Sequence, residues 1–160
     1  MKRNANLQPL SREHHLALLC WRELDRQLSA AGGGDHADLT VAIDGLREYW
    51  DDKFLAHMDC EETLLLDLLS DALRSRLLAE HSALRSHFYS VLQQLDSGEF
   101  DNDELVKLTT LWRAHIRWEE RQLFPYLETH ASTGDLASIG ESLLGAHNSC
   151  RTHQPERKFK

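Results

Sequence analysis

Apolar residues return along this chain at intervals of three and four, the period of one face of an α-helix. Leu10, Ala17, Leu18, Trp21, Leu24 and Leu28 predict a first helix that begins near Ser11, a good N-cap just after Pro9. It ends at AAGGGD, residues 30 to 35, because three glycines remove helical preference. Ile43, Leu46, Trp50, Phe54, Leu64 and Leu68 mark a second helix, the longest by this pattern. Leu77, Leu84, Phe88, Leu92 and Leu95 mark a third, which stops at DSGEFDND, residues 96 to 103. Leu108, Leu111, Trp112 and Tyr126 mark a fourth, which Pro125 should kink or end because proline has no N–H for the ladder. A shorter amphipathic piece runs from about Asp135 to His147. No alternating strand pattern and no solenoid repeat occurs. The expectation is an all-α fold: an up-down-up-down four-helix bundle with a short additional C-terminal helix. It forms one domain over residues 1–160, with the bundle core at about 11–130 and the last helix and tail at about 135–160.

Polar residues interrupt these stripes. At ~100° per residue, His57 and Glu61 in FLAHMDCEETLLLDLL, residues 54 to 69, share the face of Leu46, Trp50 and Leu64. His115 and Glu119 in WRAHIRWEERQLF, residues 112 to 124, repeat the spacing on the face of Leu108, Leu111 and Tyr126. His81 shares the stripe of Leu77, Leu84 and Phe88, and His14 lies four residues from both Leu10 and Leu18. Its neighbour His15 fits less well. An isolated H-x-x-x-E is usually a surface pair worth ~0.2–0.5 kcal/mol, and a lone inward histidine is usually a hydrogen-bonded core residue. Four histidines and two glutamates converging on one axis are different, since a buried carboxylate without a partner costs several kcal/mol. The pattern calls for a buried cation.

Composition narrows the partners. A formal charge of -8 argues against a duplex-binding surface. There is no apolar leader and no apolar run of membrane-spanning length, so neither nucleic acid nor membrane is expected and the expected location is cytoplasmic. Cys20, Cys60 and Cys150 are far apart and imply neither a disulfide framework nor a cysteine zinc cage. Trp50, Trp112 and Trp118 read as core packing, Tyr126 as packing or as a donor behind the site, and Cys60 as a small buried residue.

Imidazole with carboxylate and no thiolate suits iron or manganese before zinc or copper. Structural zinc needs about four ligands, usually with cysteine, and six inward ligands exceed one zinc. Two ions with about six positions each need about twelve; four imidazoles and two bridging carboxylates fill about eight, and a shared oxide or hydroxide about two more. About two positions stay open for a small ligand or another residue. His36, in GGGDHADL, and His15 are the spare histidines.

The residues SREHH at 11 to 15, HMDCEE at 57 to 62, AEH at 79 to 81 and HIRWEERQLFPYLE at 115 to 128 resemble the hemerythrin-like, or HHE cation-binding, four-helix bundles. The resemblance implies a non-heme di-iron site that binds oxygen or nitric oxide, senses oxygen or iron, or helps repair iron-sulfur centres; the expected role is binding or sensing oxygen, peroxide or nitric oxide, or handling iron under stress. Carried onto this chain, the ligands fall on His14 or His15, His57, Glu61, His81, His115 and Glu119. Oxygen carriers of the family place a second histidine one turn after the third-helix one, where this chain has Arg85, with His87 a poor substitute. They also use H-x-x-x-x-D on the fourth helix, a spacing that Glu120 mimics only loosely. Both departures point away from reversible oxygen transport. A di-iron enzyme reducing peroxide or nitric oxide, and an interaction module stapled by metal, are the alternative readings.

Overall fold

The computed structural model describes residues 3–30, 45, 47–97 and 102–151. Four helical rods form the core. The first is α1 (Gln8–Ala30). The second joins a π-helical segment (Trp50–Phe54), α2 (Leu55–Leu65) and a 3-10 turn (Leu66–Leu68). The third is α3 (Asp71–Ser97). The fourth joins α4 (Asn102–Trp118), a second π-helical segment (Glu119–Leu123) and α5 (Phe124–His130). A further helix, α6 (Thr133–Arg151), packs against one end. No strand occurs among the described residues, and no described helix is long and apolar enough to cross a membrane.

Two apolar clusters fill the bundle, one at each end. Ala17, Trp21, Trp50, Phe54, Met58, Leu84, Phe88, Trp112 and Ile116 belong to one. Leu7, Leu10, Leu65, Leu77, Leu123, Phe124 and Leu127 belong to the other, which Leu136, Ile139 and Leu143 of α6 complete. In α1 and α3 the chain runs from the second cluster to the first; in the second and fourth rods it runs from the first to the second. Alternating direction is therefore written into the packing, and the bundle is up-down-up-down.

Several boundaries differ from the sequence expectation. The first helix starts at Gln8 and not near Ser11, whose own N–H donates to the Leu7 carbonyl at 3.2 Å. Pro9 is tolerated inside the first turn, where its missing N–H costs nothing. Pro125 does not end the fourth rod: it follows a π turn in which the Phe124 N–H reaches the Glu119 carbonyl, and the helix resumes to His130. The widened turn loosens the ladder where a proline ring would crowd the carbonyl four residues back. The last helix begins at Thr133 and not Asp135, because Ser132 and Asp135 form a reciprocal capping box with bonds of 3.1 Å each way. Leu64 and Leu68 are half-buried against the cluster that α6 completes, and Leu65 and Leu69 take the buried positions. Leu92 is half-buried beside the buried Val91. Leu111 is 37% exposed, about 100° off the face that Trp112 occupies. The longest described helix is α3; the expected start of the second helix, with Ile43 and Leu46, and the expected helix stop at the glycines of 31–35 fall outside the described residues.

Gly140 lets α6 dock on the segment before α1. A Cβ there would run into the Asn6 side chain, within 3.0 Å of its Cβ and Cγ. Gly140→Ala is expected to lower stability by roughly 1–2 kcal/mol in a urea titration, although alanine is the better helix former by ~1 kcal/mol. A stabilised variant would contradict this packing.

Candidate metal centre

Between the two apolar clusters lies a polar belt to which every rod contributes. His14, His57, Glu61, His81, His115 and Glu119 are all buried, both glutamates completely. Their ligand atoms fall into two groups, each within 4.8 Å: His14, His57, Glu61 and Glu119, and Glu61, His81, His115 and Glu119. The two glutamates belong to both. Inside the first group His14 Nε2 lies 3.0 Å from His57 Nε2 and from Glu119 Oε2, and His57 Nε2 lies 3.3 Å from Glu61 Oε1. Inside the second, His115 Nε2 lies 3.2 Å from Glu119 Oε1, and His81 Nε2 lies 3.4 Å from Glu61 Oε2 and 3.9 Å from Glu119 Oε1.

These donors fit a metal pair. Both oxygens of Glu61 and Glu119, with Nε2 of His81 and His115, are buried without a hydrogen-bond partner, a cost that a cation removes. Bonds of roughly 2.1 Å separate adjacent ligands by about 3.0 Å around an octahedral ion and about 3.4 Å around a tetrahedral one. The short separations match such edges, and those of 3.8 and 3.9 Å are wider than either. Phe124 stacks on the His14 ring at 5.4 Å and Phe54 on the His57 ring at 5.5 Å, keeping water off both.

Each imidazole points Nε2 inward and donates Nδ1–H outward to a carboxylate. His14 pairs with Glu120 at 2.8 Å, His57 with Glu13 at 2.7 Å, His81 with Glu62 at 2.8 Å and His115 with Glu80 at 2.9 Å. Such partners fix the tautomer and orient the ring. Glu13, Glu62 and Glu80 are functional candidates that the stripe pattern misses, since each sits one residue off the buried face. The available signal was an acidic residue directly beside an inward ligand. Glu120 takes this outer place, which leaves Glu119 as the inner carboxylate of the fourth rod.

The remaining sequence expectations sort cleanly. His15 is exposed, and His36 lies outside the described residues. His87 turns to Glu104 at 2.6 Å. Arg85 holds Glu62 at 2.8 Å and Asp59 at 3.0 Å. Tyr126 packs against the α6 end and stacks on His130 at 4.1 Å. Cys60 is half-buried, against the expectation of a buried thiol, because it sits one residue off the ligand face.

In the metal-free chain protons stand in for the cation. Burial pushes the His81 imidazole down, but Glu119 and Glu61 outweigh it and raise the pKa to about 9. Burial likewise opposes charge on His57, yet Glu61 and Glu13 hold it well above its ordinary value of 6.5. Burial raises Glu61, and His57 and His81 more than reverse that, leaving it well below 4.5. Metal must displace these protons, so apparent affinity is expected to rise as pH rises through about 9, the His81 value. Uptake should release protons, measurable with an indicator dye; uptake without release would contradict it. The metal-free fold has the opposite limit. Stability from His81 is complete below 6.5 and lost as pH rises through about 9. Stability from Glu120, whose burial is outweighed by His14 and Arg3, is present above 4.5 and lost as pH falls through about 2.

A helical bundle with carboxylate and imidazole ligands facing inward from separate helices belongs to the class of metal-binding bundles. The family is specific: residues 6–127 match the hemerythrin HHE cation binding domain, and the chain belongs to that family. No curated protein and no solved structure matches it. It is a hemerythrin-like protein with two His/Glu clusters consistent with a di-iron, ligand-binding site.

Proposed function

We propose that His14, His57, Glu61, His81, His115 and Glu119 ligate two irons within a single hemerythrin-like domain, and that positions left open bind oxygen, peroxide or nitric oxide in a sensing or iron-handling role. The observation carrying this reading is that Glu61 and Glu119 each belong to both buried groups, the arrangement of bridging carboxylates. Iron held there would supply open coordination sites and a redox change. The protein residues exclude water through Phe54 and Phe124 and hold the Nδ1 protons on the outer carboxylates. Six protein ligands, with arginine where carriers have a further histidine, leave room for an exogenous ligand.

Metal analysis of anaerobically purified protein should give about two irons per chain by the coordination count. Addition of nitric oxide or oxygen to the reduced protein should give a stoichiometric adduct in the visible spectrum. A tightly held single zinc, or protein that loses all metal on buffer exchange, would refute the assignment. Steady-state consumption of peroxide with an electron donor would move the reading to the enzyme.

A further inference from the structure

The four outer carboxylates are distributed in a pattern that no single pair reveals. Glu13 of α1 binds His57 of the second rod, Glu62 of the second binds His81 of α3, Glu80 of α3 binds His115 of the fourth, and Glu120 of the fourth returns to His14 of α1. Every rod thus carries inward ligands of its own and an acceptor for the next rod, and the series closes. The sequence offsets explain why. Glu13 and Glu80 stand one residue before an inward histidine, whereas Glu62 and Glu120 stand one residue after an inward glutamate. One residue turns a helix by ~100°. Because the rods alternate in direction, one step back on an upward helix and one step forward on a downward helix turn the same way when viewed along the bundle. All four acceptors therefore lean toward the next rod.

Cations secure this layer. Arg3 donates to Glu120 at 2.7 Å, Arg85 to Glu62 at 2.8 Å and Arg76 to Glu80 at 2.6 Å. Arg76 also lies over the Trp118 ring at 4.4 Å. Side chains of the outer glutamates are 25–29% exposed, while the inner two are sealed.

We infer that Glu13, Glu62, Glu80 and Glu120 are positioning residues of one closed ring, in which each helix sets the tautomer and aim of the ligand on the following helix. This rests on the metal-centre reading above. Arg85 then has a defined task. It anchors Glu62 and through it His81, so the position that supplies a ligand in carriers supplies an orienting contact here. A ring closed in this way makes the donors arrive together: each imidazole is aimed only when the preceding helix is docked.

The test uses the zinc-loaded, diamagnetic full chain and long-range proton–nitrogen correlation spectra of the histidine rings. Glu13→Ala should shift the Nδ1 resonance of His57, on the next rod, and leave that of His14, its sequence neighbour. Glu62→Ala should shift His81, Glu80→Ala His115, and Glu120→Ala His14. Zinc affinity by chelator competition should fall ~10–100-fold in each. The isosteric Gln variants retain an acceptor oxygen and should restore affinity to within a few-fold while still shifting the same Nδ1. Where an alanine variant fails to fold, its Gln partner carries the test. Shifts at the sequence neighbour, or at none of the histidines with wild-type affinity, overturn the ring. A wild-type chain that takes up no ion overturns the metal-centre reading and the ring together, whereas a loaded wild type with unresponsive variants overturns the ring alone.

Discussion

Glu119→Ala is expected to abolish binding of both ions, whereas His14→Ala should weaken one and spare the other. Glu119 offers Oε2 to His14's group at 3.0 Å and Oε1 to His115's group at 3.2 Å, so on the proposed assignment its loss would remove a donor from each group and the carboxylate common to both. His14 lies in only one of the two groups. Metal content per chain, measured after equilibrium dialysis against iron, separates the two variants. Helix content should persist in both, because the apolar clusters on either side of the belt are untouched. Retention of a full complement by Glu119→Ala would refute the shared role.

The largest loss of stability is expected from Trp112→Ala. Its ring is fully buried and lies 5.3 Å from both the Trp21 and the Trp50 rings, while Trp50 stacks on Phe88 at 3.8 Å. Removing it empties the centre of one apolar cluster, and large-to-small changes of this kind cost about 3–5 kcal/mol. Trp112 stands one turn before His115, so metal affinity should fall with stability. Trp112→Phe should cost much less, because the indole N–H has no hydrogen-bond partner to lose. Equal destabilisation of the two variants in a denaturant titration would contradict this view of the core.

Much of this was legible in the linear pattern. Apolar spacing finds the described rods because burial of one face dominates helix placement, and the H-x-x-x-E pairs stand out because polar residues on that face demand a reason. The pattern is poorer at edges. It treats Leu64 and Leu68 as inward because a uniform 100° step ignores the π-helical segment and the 3-10 turn of the second rod, and because α6 offers a second surface to one end; Leu111 is exposed because it lies about 100° from Trp112, off the buried face. Helix starts at Gln8 and Thr133 depend on proline and capping-box geometry, which outweigh the position of the first apolar residue. The outer carboxylates were hidden for a different reason. Glu13, Glu62 and Glu80 look like solvated charges on their own helices, and the histidine that each accepts from lies on the neighbouring rod. Only the packing of rods in alternating directions reveals them. Arg85, likewise, reads as a missing ligand until its contact with Glu62 is seen.

Iron-edge X-ray absorption on the loaded, oxidised protein tests the centre most directly. The expected result is nitrogen and oxygen scatterers in the first shell, with a second iron closer than about 4 Å from the first. A lone iron with no metal neighbour in a fully loaded sample would contradict the proposed paired site, in which Glu61 and Glu119 are shared.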